Sequence, residues 1–130
     1  MSTSNLAILG CGNIGSAIAK GLTKSGMTAN NIILTRRKLE SLTELTETGF
    51  QTSIDNANAV QNAEIILLTV LPSQLMDLLD DISSSLSENH LLISIVSGVS
   101  IAEIQEKVGK DIPIIRAMPN TAAVLCESMT

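Results

Sequence analysis

Leu6-Ala7-Ile8-Leu9-Gly10-Cys11-Gly12-Asn13-Ile14-Gly15 is the stretch that decides the fold. Four apolar residues read as a buried strand and run straight into glycines spaced Gly-x-Gly-x-x-Gly, a turn that suits a dinucleotide pyrophosphate. Gly10 lets the chain turn sharply off the strand, Gly12 puts no Cβ between backbone and phosphates, and Gly15 lets the next helix lie close to the strand. The phosphates would meet that helix at its N-terminus, where the first N–H groups lack intrahelical partners and the peptide dipoles favour negative charge. The spacing alone is weak, because eight glycines in 130 residues produce some close pairs by chance. Its weight depends on the surrounding pattern.

That pattern alternates. Strand-like runs fall at 6–9, 32–35, 51–53, 64–69, 91–95 and 112–116, with helical stretches at 14–25, 38–48, 72–86 and 101–108 and a short turn or helix at 55–61. Runs such as Ile65-Ile66-Leu67-Leu68 have no polar alternation, as expected of strands covered on both faces of a parallel sheet. The order therefore predicts an α/β doubly wound (Rossmann) fold, a mostly parallel sheet of about six strands with helices on both faces. Asn13 can cap the first helix, Pro72 suits the first turn of another, and Ser100 stands three residues before Glu103 in capping-box spacing.

Composition narrows the function. With 45% hydrophobic residues spread along its length, the chain has enough apolar surface for one folded domain. A net charge of −5 and a single aromatic residue, Phe50, argue against nucleic acid, which wants a basic surface and stacking rings. The apolar runs at 64–70 and 91–96 are too short to span a bilayer, and no secretory signal is visible before residue 6. Cys11 and Cys126 form no metal or disulfide framework, so the expected setting is the cytoplasm, away from membranes.

The cofactor is read at the end of the second strand, about twenty residues beyond the glycine turn. Thr35-Arg36-Arg37-Lys38 stands where an NAD site usually has a carboxylate. Arginine offers a planar fork that can bind a ribose 2′-phosphate bidentately, and Thr35 is expected to add a hydroxyl. NADP, and NADPH over NADH, is therefore the expected cofactor. Ligands of open parallel sheets bind beyond the strand C-termini, so Thr69-Val70-Leu71-Pro72, Val96-Ser97-Gly98 and Met118-Pro119-Asn120-Thr121 are candidate walls of the site.

Four segments together resemble the N-terminal domain of pyrroline-5-carboxylate reductases. They are Gly10-Cys11-Gly12-Asn13-Ile14-Gly15, Val70-Leu71-Pro72-Ser73-Gln74, 94–100 (Ser-Ile-Val-Ser-Gly-Val-Ser) and, most specific, Arg116-Ala117-Met118-Pro119-Asn120-Thr121. The resemblance covers essentially the whole chain and implies the last step of proline biosynthesis, reduction of the imine Δ1-pyrroline-5-carboxylate to L-proline by NAD(P)H. It implies cofactor contacts at the backbone of 11–14, with Arg36 and Arg37 at the 2′-phosphate and Asn56 near the adenosine. Val70, Leu71 and Pro72 would lie along the middle, Ser97 and Gly98 near the nicotinamide, and Met118, Pro119, Asn120 and Thr121 on the substrate side.

The resemblance also implies a second, helical domain through which family members form homo-oligomers. This sequence stops where that domain should begin, so 1–120 reads as the dinucleotide-binding domain and 121–130 as the start of the connection. The chain is expected to be inactive alone. Leu71 replaces a common Lys, Ala122 a Pro, and Ser128 a Gly of the family pattern. Hydride transfer to a protonated imine asks for no nucleophile, only apposed rings and excluded water, so no catalytic residue and no metal ligand is assigned. His90 is expected to be structural. Two other readings remain open: a stand-alone NADP-binding or sensor domain, and a deazaflavin-dependent NADP oxidoreductase.

Overall fold

The computed structural model describes residues 6–10, 13–26, 28–36 and 49–117; the side chains of Asn13 and Ile14 fall outside that set. Six strands occupy Leu6–Leu9 (β1), Ile32–Thr35 (β2), Gln51–Ser53 (β3), Ile65–Leu68 (β4), Leu91–Ser94 (β5) and Ile114–Arg116 (β6). They form one sheet in the order β3-β2-β1-β4-β5-β6, and every neighbouring pair is parallel. The chain thus builds outward from β1 to one edge and then returns to build on β1's other side. At this reversal, between β1 and β4, a doubly wound sheet opens a crevice beyond its strand C-termini.

Helices α1 (Asn13–Lys24), α2 (Asn56–Gln61), α3 (Pro72–Ile82) and α4 (Ile101–Val108) connect the strands among the described residues. On one face, Ile18, Ala19 and Leu22 of α1 pack on Leu6 and Ile8 of β1 and Ile32 and Leu34 of β2. On the other, α2, α3 and α4 cover Ala7, Leu9, Ile66, Leu68 and Leu92. The stripe that α3 presents, Leu75, Leu78, Leu79 and Ile82, repeats at the helical spacing of three and four residues and is buried throughout. Each such side chain stabilises the fold by about 1.5–3 kcal/mol. The edge strand β3 is polar and partly exposed, as an edge that resists pairing with another chain should be.

The sequence reading holds closely for the strands, with β4 and β5 slightly shorter than expected and two larger local adjustments. The helix expected at 72–86 ends at Ile82 and tightens into a 3-10 turn over Ser83–Ser85, where the Ser83 hydroxyl bonds back to the Asp80 carbonyl (3.4 Å). The strand expected from 112 begins at Ile114, after Pro113, which has no N–H for a ladder and contributes only its carbonyl to Leu92 N–H (2.9 Å). The capping box forms as expected: Ser100 Oγ accepts from Glu103 N–H (3.1 Å), and Glu103 Oε1 accepts from Ser100 N–H (3.4 Å). Pro72 is the first residue of α3. The helix expected at 38–48 and the connection at 121–130 lie outside the described residues. Among the described residues no helix is long and apolar enough to cross a membrane.

Candidate functional site

The glycine turn sits at the reversal point. Gly10 follows β1 with φ +75°, a left-handed value that glycine adopts without a Cβ penalty. A Cβ built there would lie 2.1 Å from Val70 Cγ1 and 3.4 Å from the Val70 Cα, so β1 and β4 converge too closely for any side chain. Both polar backbone groups of Gly10 are held by threonines from the flanking strands. Its N–H donates to Thr35 Oγ1 at the end of β2 (3.1 Å). Its carbonyl accepts from Thr69 Oγ1 just past β4 (3.2 Å), a hydroxyl whose proton is shared with the Leu9 carbonyl (2.8 Å).

This geometry corrects one expectation. Thr35 is 1% exposed, and its own proton goes to Asn56 Oδ1 (2.5 Å). A phosphate can only accept, so the Thr35 hydroxyl has nothing left to offer a ribose 2′-phosphate; it binds the protein to itself. Gly10 N–H is likewise unavailable to a pyrophosphate, so Gly10 shapes the turn without donating to the ligand. The donors left for the anion are those that follow, at the start of the twelve-residue α1, where Asn13, Ile14 and the buried Gly15 form the first turn.

Arg36 leaves β2 beside Thr35. Its backbone N–H bonds to the Ser53 carbonyl (3.3 Å), and its side chain is exposed at the sheet's C-terminal edge. The loop after β3 is fixed by its own bonds: Ser53 Oγ accepts from Asp55 N–H (2.9 Å), and Asp55 Oδ1 caps α2 through Asn58 N–H (3.1 Å). That cap places Asn56, the first residue of α2, against Thr35. Farther along the edge, Val70 is half-buried while Leu71 and Pro72 are exposed, Leu71 to 63%. Leu71 N–H donates to Gln74 Oε1 (3.2 Å), which fixes the start of α3. Ser97 and Gly98 form an exposed turn after β5; Gly98 has φ +79°, and a Cβ there would meet open space.

Residues 5–98, from β1 through this last turn, match the family described as NADP oxidoreductase, coenzyme F420-dependent. The chain belongs to that family. It is also 48% identical over 128 residues, 98% of its length, to pyrroline-5-carboxylate reductase 1 of Dictyostelium discoideum, of which it covers 23%. Among solved structures, a pyrroline-5-carboxylate reductase from Coxiella burnetii superposes with a TM-score of 0.85 at 35% identity, over 90% of this chain and 44% of that one. The Plasmodium falciparum pyrroline carboxylate reductase, solved with NADP bound, gives 0.81 at 28% identity over 95% and 45%. The chain thus spans less than half the length of each of these relatives.

Among the residues expected at the site, the fold brings Gly10, Asn13, Ile14, Gly15, Thr35, Arg36, Asn56, Val70, Leu71, Pro72, Ser97 and Gly98 to the C-terminal ends of β1 to β5. Cys11, Gly12, Arg37, Met118, Pro119, Asn120 and Thr121 lie outside the described residues. The glycine turn, the helix that starts directly behind it and the exposed cation at the end of β2 fit a dinucleotide that carries a 2′-phosphate. The sequence reading placed Thr69 in a candidate wall of the site but missed its bond to the Gly10 carbonyl. Its signal was available: Thr35 and Thr69 each close an otherwise wholly apolar strand run, and those two strands flank β1.

Proposed function

We propose that this chain is the NADPH-binding part of an enzyme that reduces Δ1-pyrroline-5-carboxylate to L-proline. The observation that carries the reading is the extent of the match to the Dictyostelium discoideum reductase: at 98% of the chain it runs through Arg116–Thr121, whereas the family match stops at residue 98. NADPH, when bound, supplies the hydride. The chain's own residues hold and orient it: the first turn of α1 takes the pyrophosphate, and Arg36 with Arg37 takes the 2′-phosphate. Asn56 faces the adenosine ribose, and Val70, Leu71, Pro72, Ser97 and Gly98 line the path toward the nicotinamide. Met118, Pro119, Asn120 and Thr121 form the wall on the imine side.

A protonated imine needs apposition and exclusion of water rather than a nucleophile, so this reading assigns no catalytic residue. Further parts of this reading are a cytoplasmic location, a domain over 1–120 with 121–130 leading onward, and homo-oligomers built by a helical domain that follows it. The family description favours one competing acceptor, a deazaflavin.

A fusion separates them. Joined to the C-terminal remainder of the Dictyostelium discoideum reductase, the chain is expected to oxidise NADPH on addition of the imine and to ignore oxidised deazaflavin. A fusion that binds NADPH but reduces only the deazaflavin contradicts the proposal. Without the remainder, the 130 residues are expected to bind NADPH without turnover; rapid imine reduction by them alone contradicts the division of labour.

A further inference from the structure

Thr35 and Thr69 spend their hydroxyl protons inside the chain, on Asn56 and on the carbonyls of Leu9 and Gly10. A glycine at φ +75° has several backbone wells open to it, and nothing in its own side chain selects one. The selection comes from outside: one hydroxyl holds its N–H and the other its C=O, from opposite sides of β1. We infer that Thr35 and Thr69 are positioning residues, a two-sided clamp that fixes the direction in which the chain passes from β1 into the anion-binding turn. Thr35 also anchors Asn56, so one hydroxyl couples the pyrophosphate turn to the residue beside the adenosine ribose. The inference rests on the NADP reading, because a clamp on this turn matters to a ligand only if the turn binds one.

The physical consequence is loss of preorganisation. Without either hydroxyl the turn must be ordered at the moment of binding, and that cost is subtracted from affinity. One neutral hydrogen bond of this kind corresponds to a change of up to about tenfold in a dissociation constant. Because the pyrophosphate is common to both cofactors, the loss should fall equally on NADPH and NADH, unlike a loss at Arg36.

The test measures dissociation constants for NADPH and NADH, together with hydrogen exchange at the Gly10 amide in the ligand-free protein. Thr35→Val and Thr69→Val are each expected to weaken both cofactors by up to about tenfold. Thr35→Val should also speed exchange at Gly10. Thr35→Ser and Thr69→Ser keep the hydroxyl and should stay within about twofold of the wild type. Folded Val variants with wild-type affinities, or Ser variants as impaired as Val, overturn the inference. If Thr35→Val does not fold, the Thr69 pair carries the same comparison. A wild-type chain that binds neither cofactor refutes the NADP reading and the clamp's purpose with it, and that failure appears before any substitution is made.

Discussion

The two ends of the sheet use the same device, a side chain that reaches over to satisfy a neighbouring loop's backbone, for different ends. At the N-terminal end, buried His90 accepts from Ser87 N–H through Nδ1 (2.9 Å) and donates through Nε2 to the Val60 carbonyl (3.0 Å), the tautomer that the backbone donor dictates. Beside it, Lys110 Nζ donates to the carbonyls of Ser83 (2.5 Å) and Leu86 (2.7 Å). Those bonds close loops over the core. At the C-terminal end, Thr35 and Thr69 hold a turn while Arg36, Leu71, Ser97 and Gly98 stay exposed around it. The difference separates stability from ligand binding: substitutions at the first end should cost folding free energy alone, and those at the second should reach the cofactor.

The largest effect is expected from Gly10→Ala. The left-handed backbone costs roughly 1–2 kcal/mol and the overlap with Val70 a further 1–3 kcal/mol, read as a lower urea midpoint and lost NADPH binding. Adding Val70→Ala should return the steric part and leave the backbone part; strict additivity of the two would mean that Gly10 and Val70 do not touch.

His90→Ala comes next. It orphans the buried Val60 carbonyl, at about 1–3 kcal/mol, and the part-buried Ser87 N–H, which water can still reach at lower cost, and should lower stability while leaving the NADPH affinity of the folded fraction unchanged. A shift in the NADPH to NADH ratio would break the separation of the two ends. Arg36→Ala should do the reverse: unchanged stability, unchanged NADH, and NADPH weakened by about 1.5–3 kcal/mol, roughly tenfold or more. Equal weakening of both cofactors would remove Arg36 from the 2′-phosphate.

The smallest effect belongs to Gly98→Ala. Open space surrounds that position, so its cost to folding is the backbone strain of roughly 1–2 kcal/mol without the steric part that Gly10 adds. A cost matching Gly10→Ala in thermal unfolding would show that the close approach to Val70 is not what sets Gly10 apart.

Much of the fold was legible because strands covered on both faces leave unbroken apolar runs. Ile32-Ile33-Leu34 and Ile65-Ile66-Leu67-Leu68 could hardly be read otherwise. Strand ends were less legible: β4 and β5 each stop short of the apolar run that suggested them, because the ladder ends where the neighbour ends. At the site, the glycine spacing and Arg36 were readable as local chemistry. The role of Thr35 was not, since it depends on the parallel register that brings the ends of β1 and β2 side by side and on a loop that delivers Asn56 from 21 residues away. Thr69 depends on the same register from β4, 59 residues along from Gly10.

Calorimetric titration of the chain with NADPH and with NADH bears most directly on the claim that the C-terminal end of the sheet is an NADP site. Tighter binding of NADPH, by on the order of tenfold, is the predicted result, since one charge-assisted contact at the 2′-phosphate suffices for it. Equal affinities, or no binding of either cofactor by the folded chain, would contradict it.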